Sequence, residues 1–151
     1  MKDYTIFTDG ASRGNPGKSG AGVYATCDSK EIFKKGIYLG KRTNNQAEYL
    51  ALLYGLFLLK KQLKKGDAVS LFSDSQLLVR QITGHYRVKA VEILPLHAAA
   101  LSVVKEINGK IFHIMREKNP VADAMANDGI DRKQPVSHDF TEFLKHHGIS
   151  L

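Results

Sequence analysis

Residues 4–9 run Tyr-Thr-Ile-Phe-Thr-Asp, a strand-forming stretch that stops on an acid and is soon followed by the turn signal Gly14-Asn15-Pro16-Gly17. Residues 19–27 and 31–39 read as two further strands on short connections, so the pattern predicts an antiparallel meander, with Gly36 marking a bulge and Gly40 an exit. On a period of two, Phe7 and Asp9 share a face, with Phe7 expected inside and Asp9 reaching outward past the core edge. The longest helical pattern follows. Thr43 and Gln46 have capping-box spacing, which starts a helix just before Ala47, and apolar Leu50, Leu53, Tyr54, Phe57 and Leu58 carry it towards Lys64-Lys65-Gly66, with Glu48 in its first turn. A strand over 69–74 ends on Asp74, two residues beyond Phe72, and a short helix from about Ser75 to Ile82 comes next. After a loop from Thr83, Pro95 opens a helix through Leu96, Ala99, Ala100, Val103 and Val104 to Ile107. Residues 110–115 alternate as a last strand, Pro120 opens a helix carrying Asp123, and Val136 to His147 reads as an amphipathic helix with Phe140, Phe143 and Leu144 inward. A meander followed by strands separated by helices predicts an α/β fold, a mixed five-stranded sheet flanked by helices on both faces.

Asp-Gly after a strand is ordinary hairpin vocabulary, so Asp9 alone says little. Recurrence gives it weight. Asp9 and Asp74 close two strands, while Glu48 and Asp123 stand near two helix starts, and carboxylates gathered at element ends suggest a cation site. Glu48 could simply favour the helix dipole, but that does not explain why Asn44 lies one turn earlier on the same face.

These stretches resemble the type 1 ribonuclease H family. The likeness rests on Thr8-Asp9-Gly10 with the Gly14-Asn15-Pro16-Gly17 that follows, Asn44-Asn45-x-x-Glu48, Asp74-Ser75-Gln76, and Ala122-Asp123-x-x-Ala126-Asn127, and it spans about Tyr4 to Asn127. It implies a single catalytic domain over residues 1–151, strand order 3-2-1-4-5, and hydrolysis of the RNA strand of RNA/DNA hybrids to leave 5′-phosphate and 3′-hydroxyl ends. It also implies two Mg²⁺ ions, with Mn²⁺ as the alternative: Asp9 would bridge both, Glu48 and Asp74 complete the first, and Asp123 the second. Oxygen-only ligation suits these hard cations, and without a cation clustered carboxylates would repel one another. By the same resemblance, Gly10, Ser12, Asn44, Glu48 and Gln76 would reach the RNA or the minor groove, while Thr43 and Asn45 would grip a phosphate of the DNA strand. Without the acids, the residues before the long helix would read as caps and Gln76 as a surface position.

The chain departs from the family in two places. Familiar bacterial members carry a Trp- and Lys-rich protrusion, whereas Thr83 to Glu92 is short and the protein has no Trp. Many members have a His in the loop before the last Asp; here residues 116–121 have none, Glu117 is the candidate substitute, and His113 in the preceding strand is expected to be structural. His85, His97, His146 and His147 show no ligand spacing.

With 22 Lys and Arg against 15 Asp and Glu, the net charge is +7, and since the proposed site is acidic the basic excess must lie elsewhere. That separation suits a polyanionic partner, held by Arg87 and Lys89 or by Lys60, Lys61 and Lys64. A single Cys27 excludes an intramolecular disulfide, and the longest apolar run, Tyr49 to Leu59, falls short of the roughly twenty residues that span a bilayer. A cytoplasmic monomer that does not engage membranes is the expectation. The rivals are a DNA nuclease or recombinase sharing the acid cluster, a non-catalytic nucleic-acid-binding module, from which one or more acids would be expected to be missing, and a scaffold with no nucleic-acid role.

Overall fold

The computed structural model describes residues 1–151. The meander comprises β1 (Asp3–Gly14), β2 (Gly17–Cys27) and β3 (Lys30–Arg42), each longer than its apolar pattern. The β1–β2 ladder continues past Asp9↔Gly22 to Gly14↔Gly17, because the tight turn between Gly14 and Gly17 holds the two strands in register to the end. Asp9 therefore does not close β1. What stops beside it is the parallel ladder to β4 (Ala68–Ser73), whose last pair is Thr8↔Ser73. Asp9 and Asp74 are the next residues on neighbouring strands, which lie about 4.8 Å apart in a sheet. β5 (Lys110–His113) pairs parallel to β4 and completes the order β3-β2-β1-β4-β5. It is shorter than the expected 110–115, since only Ile114 continues the pairing, donating its N–H to the Ser73 carbonyl before the chain turns into a 3-10 turn at Arg116–Lys118.

Helix α1 (Asn44–Lys60) has both bonds of the Thr43/Gln46 capping box. It begins three residues earlier than the apolar pattern suggests and ends at Lys60 rather than near Lys64, which places Glu48 in the second turn, beyond the first-turn dipole position expected for it. Its interior is apolar nearly all round, and Gly55 lets it sit on Ile6, Thr8 and Val23 of the sheet. Around it gather α2 (Gln76–Ile82, capped by Ser75), α3 (Leu94–Glu106) and α5 (His138–His146). Phe140 of α5 packs 5.0 Å from the Tyr54 ring and 5.2 Å from that of Phe57, and burying such a side chain contributes about 1.5–3 kcal/mol.

Only α4 (Pro120–Asp131) covers the opposite face, crossing β1, β2 and β3. It approaches so closely that a Cβ at Gly22 or Gly36 would overlap the carbonyl of Ala122 or Met125. Gly36 is thus a contact glycine rather than a bulge; the register shifts lie at Ser19/Gly20 and Ala25/Thr26. Phe7, expected inside, is only half-buried: it lines a small cavity with Pro120 and Val121 at the start of α4 and belongs to an aromatic row, Tyr24–Phe7–Phe72–Phe112, with centroid spacings of 5.9, 5.2 and 5.4 Å. No helix is long and apolar enough to cross a membrane.

Candidate active site

Carboxylate oxygens of Asp9, Glu48 and Asp74 lie within 4.8 Å of one another. Asp9 comes from β1 where its parallel partner ends, and Asp74 from the single step between β4 and the cap of α2. Glu48 reaches them from above because Gly10 has no side chain: a Cβ there would strike the Ala47–Glu48 backbone of α1. The Gly10 amide then donates to Glu48 Oε1 at 2.7 Å. That bond commits the Gly10 N–H to the protein itself.

Asp9 and Glu48 are each only 5% exposed, so Asp9 does not point outward as the strand pattern suggests. Burial, and after it the charges of Glu48 and Asp74, push Asp9 up to about 10. Burial also pushes Glu48 up to about 8, opposed by the Gly10 amide and by the positive charge of Arg116. One oxygen of Asp74, Oδ2, is buried with no hydrogen-bond partner. Packed, desolvated carboxylates with an unpaired oxygen are what a divalent cation would neutralise, and an all-oxygen donor set fits Mg²⁺ or Mn²⁺ rather than zinc.

Asp123, in the first turn of α4, stands outside this three-acid group but near enough to Asp9 to help hold its carboxyl protonated. Asn127, one turn on, donates from Nδ2 to the Asp123 carbonyl at 3.0 Å. The structure thus brings Asp9, Glu48 and Asp74 together and leaves Asp123 beside them, on Asp9's side.

The expected substrate residues ring this cluster in two different states. Ser12 Oγ is engaged by the Gly14 and Arg42 carbonyls, and Thr43 Oγ accepts from Gln46 as the α1 cap. Asn44, Asn45 and Gln76 are exposed in the first turns of α1 and α2, and their side chains form no hydrogen bond within the chain; the Asn44 amide is held by Asn15 Oδ1 at 3.0 Å. His113 and Glu117 are both exposed. Two residues escaped the sequence reading: Arg116, an exposed cation that forms no ion pair, and Asn119, which is buried. The first could have been noticed as a cation near the start of the segment between the last strand and the last acid; nothing in the sequence marks the second as buried.

Of the basic candidates, Lys60 pairs with Glu106 at 2.6 Å and Lys61 lies over the Phe57 ring at 4.3 Å. Both stand at the far end of α1, about 18 Å along the helix from Glu48 at 1.5 Å per residue. Arg87 and Lys89 are close to exposed Tyr86, whose hydroxyl accepts from Arg80 at 3.0 Å. The largest concavity, about 760 Å³, lies near Lys60 and Lys64 and includes none of the four acids.

The family model described as RNase H matches residues 1–131. The chain is 35% identical over 130 residues to a bifunctional protein of Mycobacterium tuberculosis, covering 83% of itself but only 35% of that protein, and so spans about a third of its length. It is 35% identical to a ribonuclease H of Bradyrhizobium diazoefficiens, over 83% of this chain and 88% of the other. Among solved structures, LC11-RNase H1 in complex with an RNA/DNA hybrid matches with a TM-score of 0.79 and 37% identity, covering 85% of this chain and 97% of that one. The ribonuclease H1 of the archaeon Halobacterium salinarum matches with a TM-score of 0.80 and 32% identity, over 86% and 98%. A sheet in the order β3-β2-β1-β4-β5, an acid cluster at the ends of its parallel ladder and matches of this extent agree: the chain belongs to the ribonuclease H family, with type 1 members as its relatives.

Proposed function

We propose that the chain is a metal-dependent endoribonuclease that hydrolyses the RNA strand of RNA/DNA hybrids, leaving 5′-phosphate and 3′-hydroxyl ends. The observation that carries this is the convergence of Asp9, Glu48 and Asp74, with Asp123 beside Asp9, next to free side chains on Asn44 and Gln76. A relative with the same fold, LC11-RNase H1, is known in complex with an RNA/DNA hybrid.

In this reading Asp9, Glu48 and Asp74 would hold one Mg²⁺, and Asp9 and Asp123 would hold a second. Bound there, the ions supply activation of a water and stabilisation of the leaving oxygen in an in-line displacement. The protein's own groups do the rest. The Gly10 amide keeps Glu48 turned towards Asp9. Asn44 and Gln76, which donate and accept together, read the 2′-hydroxyls and the minor groove, the features that separate RNA from DNA. The carbonyl of Gly10 and the backbone at Ser12 approach the RNA. Thr43 and Asn45, at the start of α1, hold a phosphate of the DNA strand where helix amides favour an anion. Residues 1–151 act as one catalytic domain, as a monomer, in the cytoplasm, where Cys27 stays a free thiol.

Incubation with end-labelled RNA/DNA hybrid, with RNA/RNA and DNA/DNA duplexes as controls, tests the reading. Cutting confined to the RNA strand of the hybrid, dependent on Mg²⁺ or Mn²⁺ and stopped by EDTA, is expected. Equal cutting of an all-DNA duplex would make the protein a DNA nuclease on the same acid cluster.

A further inference from the structure

The segment between β5 and α4 is tied to the sheet at two carbonyls, and each belongs to the residue just before a site acid. Ile114 donates its N–H to the Ser73 carbonyl at 3.0 Å, one residue before Asp74. Asn119 donates from Nδ2 to the Thr8 carbonyl at 3.0 Å, one residue before Asp9. Asn119 stands at the N-cap of α4, where an Asn side chain ordinarily accepts from a first-turn amide, yet it forms no capping bond. Its amide reaches instead across 111 residues of sequence to β1. The side chain is 1% exposed and its Oδ1 has no partner, so the residue forgoes the cap and leaves a buried oxygen unpaired. Its own carbonyl accepts the Asp123 N–H at 3.2 Å. Two consecutive bonds therefore link the backbone next to Asp9 with the backbone of Asp123.

We propose that Asn119 is a positioning residue that sets the separation of the Asp9 and Asp123 carboxylates and, through it, the affinity for the cation those two acids share. It touches neither substrate nor ion. The inference rests on the two-cation reading above. It explains why a helix that carries a site acid begins on a buried Asn whose side chain does not serve the helix.

Asn119→Ser separates the two roles, because a Ser hydroxyl can cap α4 but is too short to reach the Thr8 carbonyl. Three measurements are made on Asn119→Ser and Asn119→Ala: thermal unfolding without metal, Mn²⁺ binding to the substrate-free protein by electron paramagnetic resonance, and hybrid hydrolysis across a Mg²⁺ titration. Asn119→Ser is expected to unfold near the wild-type temperature while binding its weaker Mn²⁺ about tenfold less tightly, the lower end of what loss of a residue orienting a metal ligand costs. The Mg²⁺ needed for half-maximal hydrolysis should rise by a similar factor, with KM for the hybrid unchanged and kcat restored at saturating Mg²⁺. Asn119→Ala should show the same metal shift at a lower unfolding temperature. Wild-type Mn²⁺ binding and Mg²⁺ dependence in Asn119→Ser would overturn the proposal, as would failure of Asn119→Ser to fold, since either assigns Asn119 to stability alone. A wild-type protein that leaves the hybrid uncut while the Mn²⁺ shift persists would overturn the activity and leave the positioning role standing.

Discussion

The amide of Gly10 and the carboxylate of Glu48 meet at 2.7 Å across the junction of β1 and α1, with no room for a methyl group between the two backbones. Gly10→Ala would force the Ala47–Glu48 backbone away from β1, and overpacking of this kind destabilises by about 1–3 kcal/mol. Hybrid cleavage is expected to fall further than stability, because the displaced residue is a proposed ligand. Urea unfolding and cleavage rates measured on the same preparation separate the two effects.

Metal-free protein should lose stability as pH rises. Asp9 and Glu48 both have folded-state pKa values raised above their ordinary 3.8 and 4.5, to about 10 and about 8. A raised carboxyl binds more protons folded than unfolded, so its contribution is fully present below about pH 4 and is lost as pH climbs through the folded values. In EDTA the unfolding temperature should therefore decline from mildly acidic to alkaline pH. Asp9→Asn and saturating Mg²⁺ should each flatten that decline, and a thermal melt series across pH reads both.

Asp9→Asn, Asp74→Asn and Glu48→Gln should each abolish hydrolysis while folding survives or improves, since each change relieves repulsion among closely placed carboxylates. Asp123→Asn should be more forgiving, in keeping with its place outside the three-acid group. Near-normal turnover by Asp9→Asn or Asp74→Asn at ordinary Mg²⁺ would sink the site.

Asn44→Ala and Gln76→Ala should slow cleavage without weakening Mn²⁺ binding. Each removes a hydrogen bond worth about 0.5–1.5 kcal/mol, or up to roughly tenfold in rate where the bond forms in the transition state. Single deoxyribonucleotides placed around the scissile phosphate should block cutting at those positions by the wild type, which gel mapping of the products would show.

Hybrid binding should weaken steeply with salt, because phosphate neutralisation releases counterions. Arg87→Ala with Lys89→Ala should reduce the salt slope. Lys60→Ala with Lys61→Ala should leave it unchanged, since those two are occupied by Glu106 and Phe57 at the far end of α1. Fluorescence anisotropy at several salt concentrations distinguishes the pairs.

The meander and the acids were legible because both are written locally, the meander in alternation and the Gly14-Asn15-Pro16-Gly17 turn, the acids in motifs attached to element starts and ends; the strand order came from the family resemblance and not from the pattern. The capping box at Thr43 and Gln46 was read from spacing alone and is formed. Legibility failed where position depends on a partner distant in sequence. Hydrophobic alternation stops at Asp9, but backbone pairing with β2 does not, so β1 runs on to Gly14. Phe7 is apolar and so expected inside, but how much it is covered depends on a distant element: only the first residues of α4, Pro120 and Val121, come beside it, and it stays half-buried. Gly36 resembled a bulge because the helix pressing on it comes from residues near 125. Asn119 was invisible for the same reason, its partner Thr8 lying near the other end of the chain.

The halt of the β1–β4 ladder at Thr8 and Ser73 makes strand length a ruler for the proposed site. Side chains alternate between faces, so a one-residue insertion or deletion within β4 would turn Asp74 to the opposite side of the sheet, whereas length changes in the turn after α1 would leave it where it is. The protein can therefore vary the loops that connect its strands, but the count of residues between the hydrophobic anchors Val69 and Leu71 and the acid that follows them is fixed by geometry.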